Sequence, residues 1–427
     1  MDFRILIKSV SAYNVIVLLI IISLGVISCA DRNRENPFDP SGKLNIILNV
    51  SSDDRSVTLS WNLPAIEDVQ GYNLYRSQGE QDSAFTLIAG AIPTHINTYT
   101  DTHIEYQNRY NYYITVIGRD IESNPSMQVS IVPGPGFVWV VDKRGYQVLK
   151  TTYDVEHTIF RYFTDFPPED MDIDSENMIG GIVYPSVGIT EFIDLTDGSL
   201  LFASSEINYP FRIACDPVEK TFWVIDSSGF LFEIDPIDHH LSLRSSFLVT
   251  PQSITIDQSN INVIDIGKKQ ILRFRRSGAL NEVIEQIEGR ILNSPQKFLV
   301  DDATQKYWYS EEIDLQDVLF VKNAGQEFNR IDSLESIGDF ELTGLDGGVW
   351  YVNQQGRNST IVQLSGDGER QIELLGFWSP FDIHVNRYDQ TLLVANTGLG
   401  RIEHYNSQHQ LIGISTLLNV PVKVIVQ

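Results

Sequence analysis

The residues best suited to catalysis or metal binding are few and scattered along the chain. Among 427 residues there are eight histidines and two cysteines. The sequence contains neither the metal-binding HExxH motif nor the GxSxG motif of a nucleophilic serine. His384 is the best placed histidine, because it lies within an alternating strand pattern at 380–386. A lone histidine in such a strand is more often a hydrogen-bonded core residue than a ligand. We therefore predict no catalytic residue, no metal site and no cofactor.

Cys29 is the residue whose surroundings indicate a defined chemistry. The chain begins with two cations, Arg4 and Lys8, followed by an apolar run at 15–22, which is the signal-peptide pattern. The run leads into Val-Ile-Ser-Cys at 26–29, which resembles the lipobox of bacterial lipoproteins. The resemblance implies that Cys29 receives a diacylglycerol through a thioether and that residues 1–28 are removed as a signal peptide.

The alternative for this segment is an uncleaved membrane anchor. The apolar stretch at 10–28 is close to the ~17–25 residues that a membrane span needs. Either way, residues 29–43 form a polar tether, and the membrane is a partner of the chain. Ala30 and Asp31 follow the cysteine, a pattern that in enteric bacteria favours the outer over the inner membrane. We expect a lipid-anchored protein of the cell envelope, with its folded part periplasmic or surface-exposed.

Composition excludes one class of partner. The chain has 31 basic and 56 acidic residues and a formal net charge of −25, so phosphate backbones repel it and nucleic-acid binding is not expected. With Cys29 lipidated, Cys215 has no partner for an intramolecular disulfide. Its apolar alternating surroundings predict a small core residue.

Residues 44–132 contain seven short strand patterns separated by turns, the spacing of a β-sandwich. Their ranges are 45–50, 57–61, 72–76, 85–88, 98–102, 110–117 and 127–132. The segments at 56–61, 71–76, 99–102 and 110–116 resemble, in order, strands of a fibronectin type III domain, with Trp61 as the buried tryptophan and Tyr110 as the tyrosine-corner residue. No Arg-Gly-Asp triplet is present, so integrin-type binding is not implied. The fold alone assigns no function, and we expect this domain to be a spacer or clamp. A short Pro-Gly-Pro-Gly linker follows at 133–136.

Residues 137–427 contain an internal repeat. A proline, an alternating apolar strand and an acidic or amide residue recur from positions 168, 210, 251, 295, 337, 380 and 421, although the copy at Ile337 lacks the proline. A second strand with a polar end follows each of the middle five copies. Repeats of about forty residues with four strands are the blades of a β-propeller. The strand at 138–142 has no inner strand before it, and the strand at 421–427 has no second strand after it. We therefore predict seven blades, with the C-terminal strand closing the first.

The unit at 393–402, Leu-Val-Ala-Asn-Thr-Gly-Leu-Gly-Arg-Ile, resembles the NHL-repeat and YVTN-type propellers. The missing proline at Ile337 and the glycines Gly180 and Gly181 depart from the repeat and leave six blades as the alternative count. The predicted fold class is all-β, a fibronectin type III β-sandwich followed by a β-propeller.

Inner strands of a propeller line its axial channel, so residues two past each repeat start should meet at one channel mouth. These seven residues, called here the mouth ring, are Asp170, Arg212, Ser253, Lys297, Asp339, Asp382 and Lys423. Converging polar groups at a concave mouth are a candidate ligand site. The polar ends of the second strands should approach the same face; they are Asp142, Asp226, Asp265, Glu311, Asn353 and Asn396. The alternative for all of them is hydrogen bonding to their own turns and to neighbouring blades.

Three classes of function follow from this arrangement. The first is a non-enzymatic surface lipoprotein whose propeller binds a protein or a glycan. The second is a propeller enzyme of the lactonase or lyase type, which in such families holds a metal at the channel mouth. The third is a scaffold of envelope assembly. Because Arg212, Lys297 and Lys423 would repel a divalent cation, we favour binding over metal-dependent catalysis.

Overall fold

The computed structural model describes residues 38, 46–53, 55–62, 69–79, 84–106, 108–284, 286–287, 290–292, 294–314, 316–323, 328–331, 336–344 and 346–427. The predicted signal peptide and Cys29 lie outside these residues. No helix in the described part of the chain is long and apolar enough to cross a membrane. The chain forms two compact units, one containing Leu59–Tyr99 and Tyr110–Ser130 and the other containing Ile131–Gln427.

The first unit is a β-sandwich. Its strands are β1 (Ile47–Ser52), β2 (Val57–Asn62), β3 (Gly71–Gln78), β4 (Thr86–Ile92), β5 (Thr98–Asp101), β6 (Tyr110–Ile117) and β7 (Val129–Ile131). One sheet has the order β1-β2-β5 and the other β4-β3-β6-β7. Trp61 on β2 is buried, and its ring lies edge-to-face with Tyr72 on β3, with the ring centroids 5.6 Å apart. The core of this unit therefore lies between the two sheets, as alternating apolar strands require.

The second unit is a propeller of seven four-stranded antiparallel sheets within the described residues. The inner strands of the second to seventh blades are β11 (Asp170–Asp174), β15 (Pro210–Cys215), β19 (Pro251–Ile256), β25 (Pro295–Asp301), β29 (Ile337–Leu342) and β33 (Asp382–Asn386). The second strands of these blades are β12 (Ile179–Tyr184), β16 (Phe222–Asp226), β20 (Asn260–Asp265), β26 (Lys306–Ile313), β30 (Val349–Asn353) and β34 (Thr391–Asn396). The inner strands and the second strands of the third to seventh blades lie where the repeat predicts them, and β12 adds the second strand that the repeat did not predict.

Third and outer strands complete these blades. The third strands are β13 (Ile189–Asp194), β17 (Phe230–Asp235), β21 (Gln270–Arg275), β27 (Gln316–Asn323), β31 (Ser359–Leu364) and β35 (Arg401–Tyr405). The outer strands are β14 (Leu200–Ser204), β18 (His240–Ser245), β22 (Leu280–Ile284), β28 (Asn329–Ile331), β32 (Arg370–Phe377) and β36 (Leu411–Ile414). A small hairpin of β23 (Gln286–Ile287) and β24 (Arg290–Ile291) lies between the fourth and fifth blades.

The first blade joins the two ends of the propeller sequence. It contains β8 (Val138–Asp142), β9 (Gln147–Thr151) and β10 (Thr158–Phe163), and its inner strand is the C-terminal β37 (Pro421–Val426). β37 pairs antiparallel with β8, Val424 opposite Val140 and Ile425 opposite Trp139. The predicted closure by the C-terminal strand is confirmed.

Apolar clusters between neighbouring blades form the core. Among the described residues there are seven clusters, one at each junction, and the inner strands contact one another around the whole ring. At the junction of the second and third blades, Gly181 lies where an added Cβ would come within 2.7 Å of a methyl carbon of Ile213. The glycines that depart from the repeat therefore allow close packing, and the count is seven blades.

Candidate ligand site at the channel mouth

The mouth ring lies where the sequence predicts it. All seven of its residues line one cavity of about 370 Å³ at the axis of the propeller. Antiparallel strands alternate in direction, so every inner strand begins, and every second and outer strand ends, at the same face. This is called here the upper face, and the mouth ring lies just inside it.

The channel continues from this cavity to the opposite, lower face. A second opening of about 840 Å³ is lined by residues near the ends of the inner strands, including Asp174, Asn386 and Gln427. Asp172, Cys215, Glu341 and His384 line both cavities. Asp172, Glu341 and His384 form a second layer below the mouth ring, two positions further along their strands, and Cys215 lies three positions past Arg212.

The cations of the mouth ring already hold carboxylates. The Lys297 ammonium lies 2.7 Å from Asp339 Oδ1 and 3.7 Å from a Glu341 oxygen. The Lys423 ammonium lies 3.5 Å from Asp382 Oδ1. Arg212 lies 3.3 Å from Glu169, which comes directly before β11 and also contacts Lys143 at 2.5 Å. The mixed charge of the ring is therefore largely paired within the protein.

The carboxylates of the ring also join neighbouring blades. Asp170 accepts a hydrogen bond from the backbone N–H of Ile213, with the N and O atoms 3.2 Å apart. In the same way, Asp339 accepts from Ile383 at 3.2 Å, and Asp382 accepts from Val424 at 2.9 Å. Each acceptor is two residues past its repeat start, and each donor is three past the next one. These carboxylates therefore form the hydrogen bonds to neighbouring blades that were the alternative to ligand binding. Each bond occupies one carboxylate oxygen and leaves at most the other oxygen for a ligand.

Burial changes the protonation of the two layers. Burial raises the pKa of Asp382 to about 7, against the opposing effect of the Lys423 ammonium. Burial also raises the pKa of Asp172 to about 6. It lowers the pKa of His384 to about 4, so this imidazole is neutral at pH 7. Burial alone would lower the pKa of Lys423, but Asp382 and the other channel carboxylates outweigh it, so the pKa is raised and Lys423 remains a cation.

The polar ends of the second strands lie apart from the cavity. All six are buried, and none of them lines it. The Asp226 carboxylate accepts from the backbone N–H of Tyr209 at 3.0 Å, and the Asp265 carboxylate from that of Val249 at 2.8 Å. Glu311 and Asn396 accept equivalent bonds from Ser294 and Trp378. These four residues therefore fix the loops that enter the inner strands of their own blades. They lie at the upper face, as predicted, and form the hydrogen bonds to nearby loops that were the alternative for them.

Asp142 makes the same contact across the two ends of the propeller sequence. Its carboxylate accepts from the backbone N–H groups of Asn419 at 3.1 Å and Val420 at 2.7 Å. It also accepts from the Gln147 amide at 2.9 Å and from the backbone of Gly145 at 3.2 Å. Asp142 therefore satisfies four donors in the blade that the C-terminal strand completes.

Cys215 lies in the channel wall. Its side chain is partly buried and packs against the apolar cluster between the second and third blades, as predicted for a small core residue, and it also lines both cavities. Burial, together with the carboxylates of Asp172 and Asp174, raises the pKa of its thiol. A raised pKa makes the thiolate scarce, and the thiol is therefore a poor nucleophile.

Sequence reasoning missed several residues of the site. Glu169, Asp172, Glu341 and Arg387 line the cavity with the mouth ring, and Asp172 and Glu341 lie four positions past their repeat starts. A strand alternates its faces every second residue, so the repeat itself could have given this second layer.

One further group, missed in the sequence, has side chains close enough to hold a cation. The candidate ligand atoms of Asp154, Glu156 and His157 lie within 4.8 Å of one another in the loop after β9. The Asp154 carboxylate accepts from the Thr152 hydroxyl at 2.6 Å and from the backbone of Glu156 at 3.2 Å. These bonds tie it to its own turn.

Comparisons with known proteins show the fold. No protein-family model matches the chain, and no curated protein matches it. A functionally unknown protein from Desulfotomaculum acetoxidans has a similar structure, with a TM-score of 0.54 and 9% identity, over 68% of this chain and 98% of that chain. A putative 6-phosphogluconolactonase from Bacteroides fragilis gives a TM-score of 0.52 and 13% sequence identity, over 68% of this chain and 97% of that chain. A dihydro-heme d1 dehydrogenase gives a TM-score of 0.53 and 10% sequence identity, over 68% of this chain and 75% of that chain.

The chain is therefore a β-propeller protein. At these identities the similarity extends to the fold and not to the chemistry, because propellers support unrelated activities.

Proposed function

We propose that this chain is a lipid-anchored protein of the cell envelope whose propeller binds a protein or glycan ligand at the channel mouth without catalysing a reaction. Cys29 is the lipid-attachment residue, and the first unit, which resembles a fibronectin type III domain, is a spacer. The site consists of the mouth-ring residues Asp170, Arg212, Lys297, Asp339, Asp382 and Lys423.

One observation carries the proposal over a metal-dependent lactonase or lyase. The two ammonium groups of the mouth ring lie within 3.5 Å of Asp339 and Asp382, the carboxylates that a divalent cation would need. A metal at the same place would have to displace Lys297 and Lys423 and would then lie among cations. The donor set is therefore unsuited to Ca²⁺ or Zn²⁺. It suits a ligand that carries both donors and acceptors.

The anchor and the site are tested separately. Replacing Cys29 with Ser should abolish lipidation and move the protein out of the detergent phase on fractionation of membranes. Unchanged partitioning of Cys29→Ser would remove the lipoprotein part of the proposal and leave the binding part intact.

The binding function is tested on purified, chelator-washed protein by elemental analysis, by lactonase and lyase assays, and on glycan and peptide arrays. We expect no stoichiometric metal at the mouth, no turnover, and ligand signals that fall for Arg212→Ala. Arg244→Ala is the matched control, since Arg244 pairs with Glu233 on the outer part of the third blade. Bound metal together with turnover that Asp382→Ala abolishes would replace this proposal with the enzyme.

A further inference from the structure

The loops of the upper face expose more apolar side chains than those of the lower face. In the described loops of the propeller, nine large apolar residues at least 36% exposed lie on the upper face and three on the lower. The nine are Tyr146, Phe166, Val187, Tyr209, Phe247, Val249, Trp378, Phe381 and Leu417; the three are Val218, Ile237 and Tyr388. Exposed apolar surface of this extent often marks an interaction site.

Most of the upper-face residues surround the mouth. Seven of the nine lie on loops that join the outer strand of one blade to the inner strand of the next. These loops belong to five consecutive junctions, from that of the sixth and seventh blades round to that of the third and fourth. Phe381 also lines the mouth cavity. The seven residues, called here the apolar arc, are Phe166, Tyr209, Phe247, Val249, Trp378, Phe381 and Leu417.

The chemistry of the apolar arc favours a protein over a glycan. Val249 and Leu417 are aliphatic and cannot stack on a sugar ring. Two of the aromatic rings already carry a cation over one face, Lys268 at 4.3 Å from the Phe247 centroid and Arg357 at 4.4 Å from the Trp378 centroid. Exposed aromatic residues with arginine are the composition of protein-binding hot spots. The cations also hold these rings in place, which lowers the entropy cost of binding.

The charge of the cavity indicates what should enter it. Seven carboxyl groups and four basic side chains line the cavity, an excess of three acidic groups. Asp170 and Asp172 form no ion pair with a described residue, although both face the channel. A cation placed between them would gain from this excess and would leave the pairs at Lys297 and Lys423 intact. The charge therefore complements a basic side chain.

We infer that the upper face docks a segment of another protein, whose apolar side chains cover the apolar arc and whose lysine or arginine enters the mouth toward Asp170 and Asp172. The inference rests on the proposed binding function and specifies its ligand. It separates two parts of the surface: the apolar arc supplies affinity, and the cavity supplies selectivity for a basic residue.

The test uses a display library of random peptides, selected on the purified mature protein. We expect enriched peptides with a lysine or arginine flanked by aromatic or aliphatic residues. Their affinity should fall by ~10-fold or more for Val249→Ser/Phe381→Ser/Leu417→Ser on the upper face. It should stay unchanged for the matched lower-face control Val218→Ser/Ile237→Ser/Tyr388→Ser.

A second arm tests the cavity. Asp170→Asn/Asp172→Asn keeps a side-chain oxygen that can accept from the backbone N–H groups of Ile213 and Cys215 but removes the charge. This variant should therefore bind peptides that contain the basic residue more weakly. The same peptides with that residue replaced by norleucine should no longer respond to this variant. Enrichment without a basic residue, or a loss confined to the lower-face control, would overturn the inference.

A glycan array run in parallel distinguishes a failure of the proposed binding function from a failure of the inferred protein partner. Glycans bound through Arg212 without peptide binding would keep the proposed function and refute the protein partner. Binding of neither probe would refute both.

Discussion

Two sets of polar residues recur with the blades of the propeller, and both contain aspartates, but the two sets have different roles. The mouth ring lines the axial cavity, while the second-strand ends are buried beside the loops that enter the inner strands. Asp170 accepts one backbone N–H in the structure, whereas Asp142 accepts four donors. The comparison shows that a repeated aspartate in this propeller can face the channel or can be buried beside a loop, and that the difference depends on whether the inner or the second strand of the blade carries it.

Removing the C-terminal strand should have the largest effect. A chain lacking 421–427 loses the buried side chains of Val422, Val424 and Ile425 and exposes the edge of β8 and the ring of Trp139. At ~1.5–3 kcal/mol for each buried side chain, the loss is roughly 5 kcal/mol or more, a large part of the stability of an ordinary domain. We expect aggregation or a strongly lowered melting temperature by calorimetry.

The matched control for that truncation is Leu411→Ser/Ile414→Ser, which alters exposed residues of the outer strand in the seventh blade. This control should melt close to the parent. A truncated chain that also melts at the parent's temperature would show that closure contributes little.

Alanine substitutions should show how much a residue of each set contributes to the free energy of unfolding. Asp142→Ala leaves several buried donors unpaired and should lower the free energy of unfolding by ~3 kcal/mol. Asp170→Ala removes the acceptor of one backbone N–H and should cost about 1 kcal/mol. Chemical denaturation of both variants measures the difference. Equal losses would mean that the two sets contribute alike to stability.

The smallest effect should be the pH dependence of stability that Asp382 contributes. The pKa of Asp382 is about 7 in the folded protein against 3.8 for an ordinary aspartate, because burial outweighs Lys423. Between these values the folded state holds a proton that the unfolded state has released, so this group's contribution to stability falls as pH rises from about 4 to about 7. The groups acting on it are Lys423, Asp339 and Lys297, on three inner strands.

Asp382→Asn removes this proton exchange and keeps an oxygen that can accept from Val424. The free energy of unfolding of the variant, relative to the parent, should therefore rise across that pH range in denaturant titrations. A difference that does not change with pH would show that Asp382 is ionised throughout.

The repeat made much of the fold predictable. Repeat copies 41–44 residues apart, five of them started by proline, located the inner strands of the second to seventh blades. The two orphan strands at 138–142 and 421–427 predicted the closure that β8 and β37 make. The mouth ring was predictable from the same spacing, because equivalent positions in successive repeats lie at equivalent places in successive blades around the axis. The glycines of β12 could not be interpreted in advance, because their necessity comes from Met171, Ile213 and Phe222 on other strands.

What the sequence determined by itself is the blade pattern and the identity of the residues that converge on the axis, because both depend on periodicity along one chain. What only the tertiary structure decided is how those residues are used. The pairing of Lys297 with Asp339 and of Lys423 with Asp382, and the bonds from Asp142 to the loop before β37, join residues about 40 or nearly 280 positions apart. The same holds for the shifted pKa of Asp382, since burial is a property of the closed ring and not of any one strand.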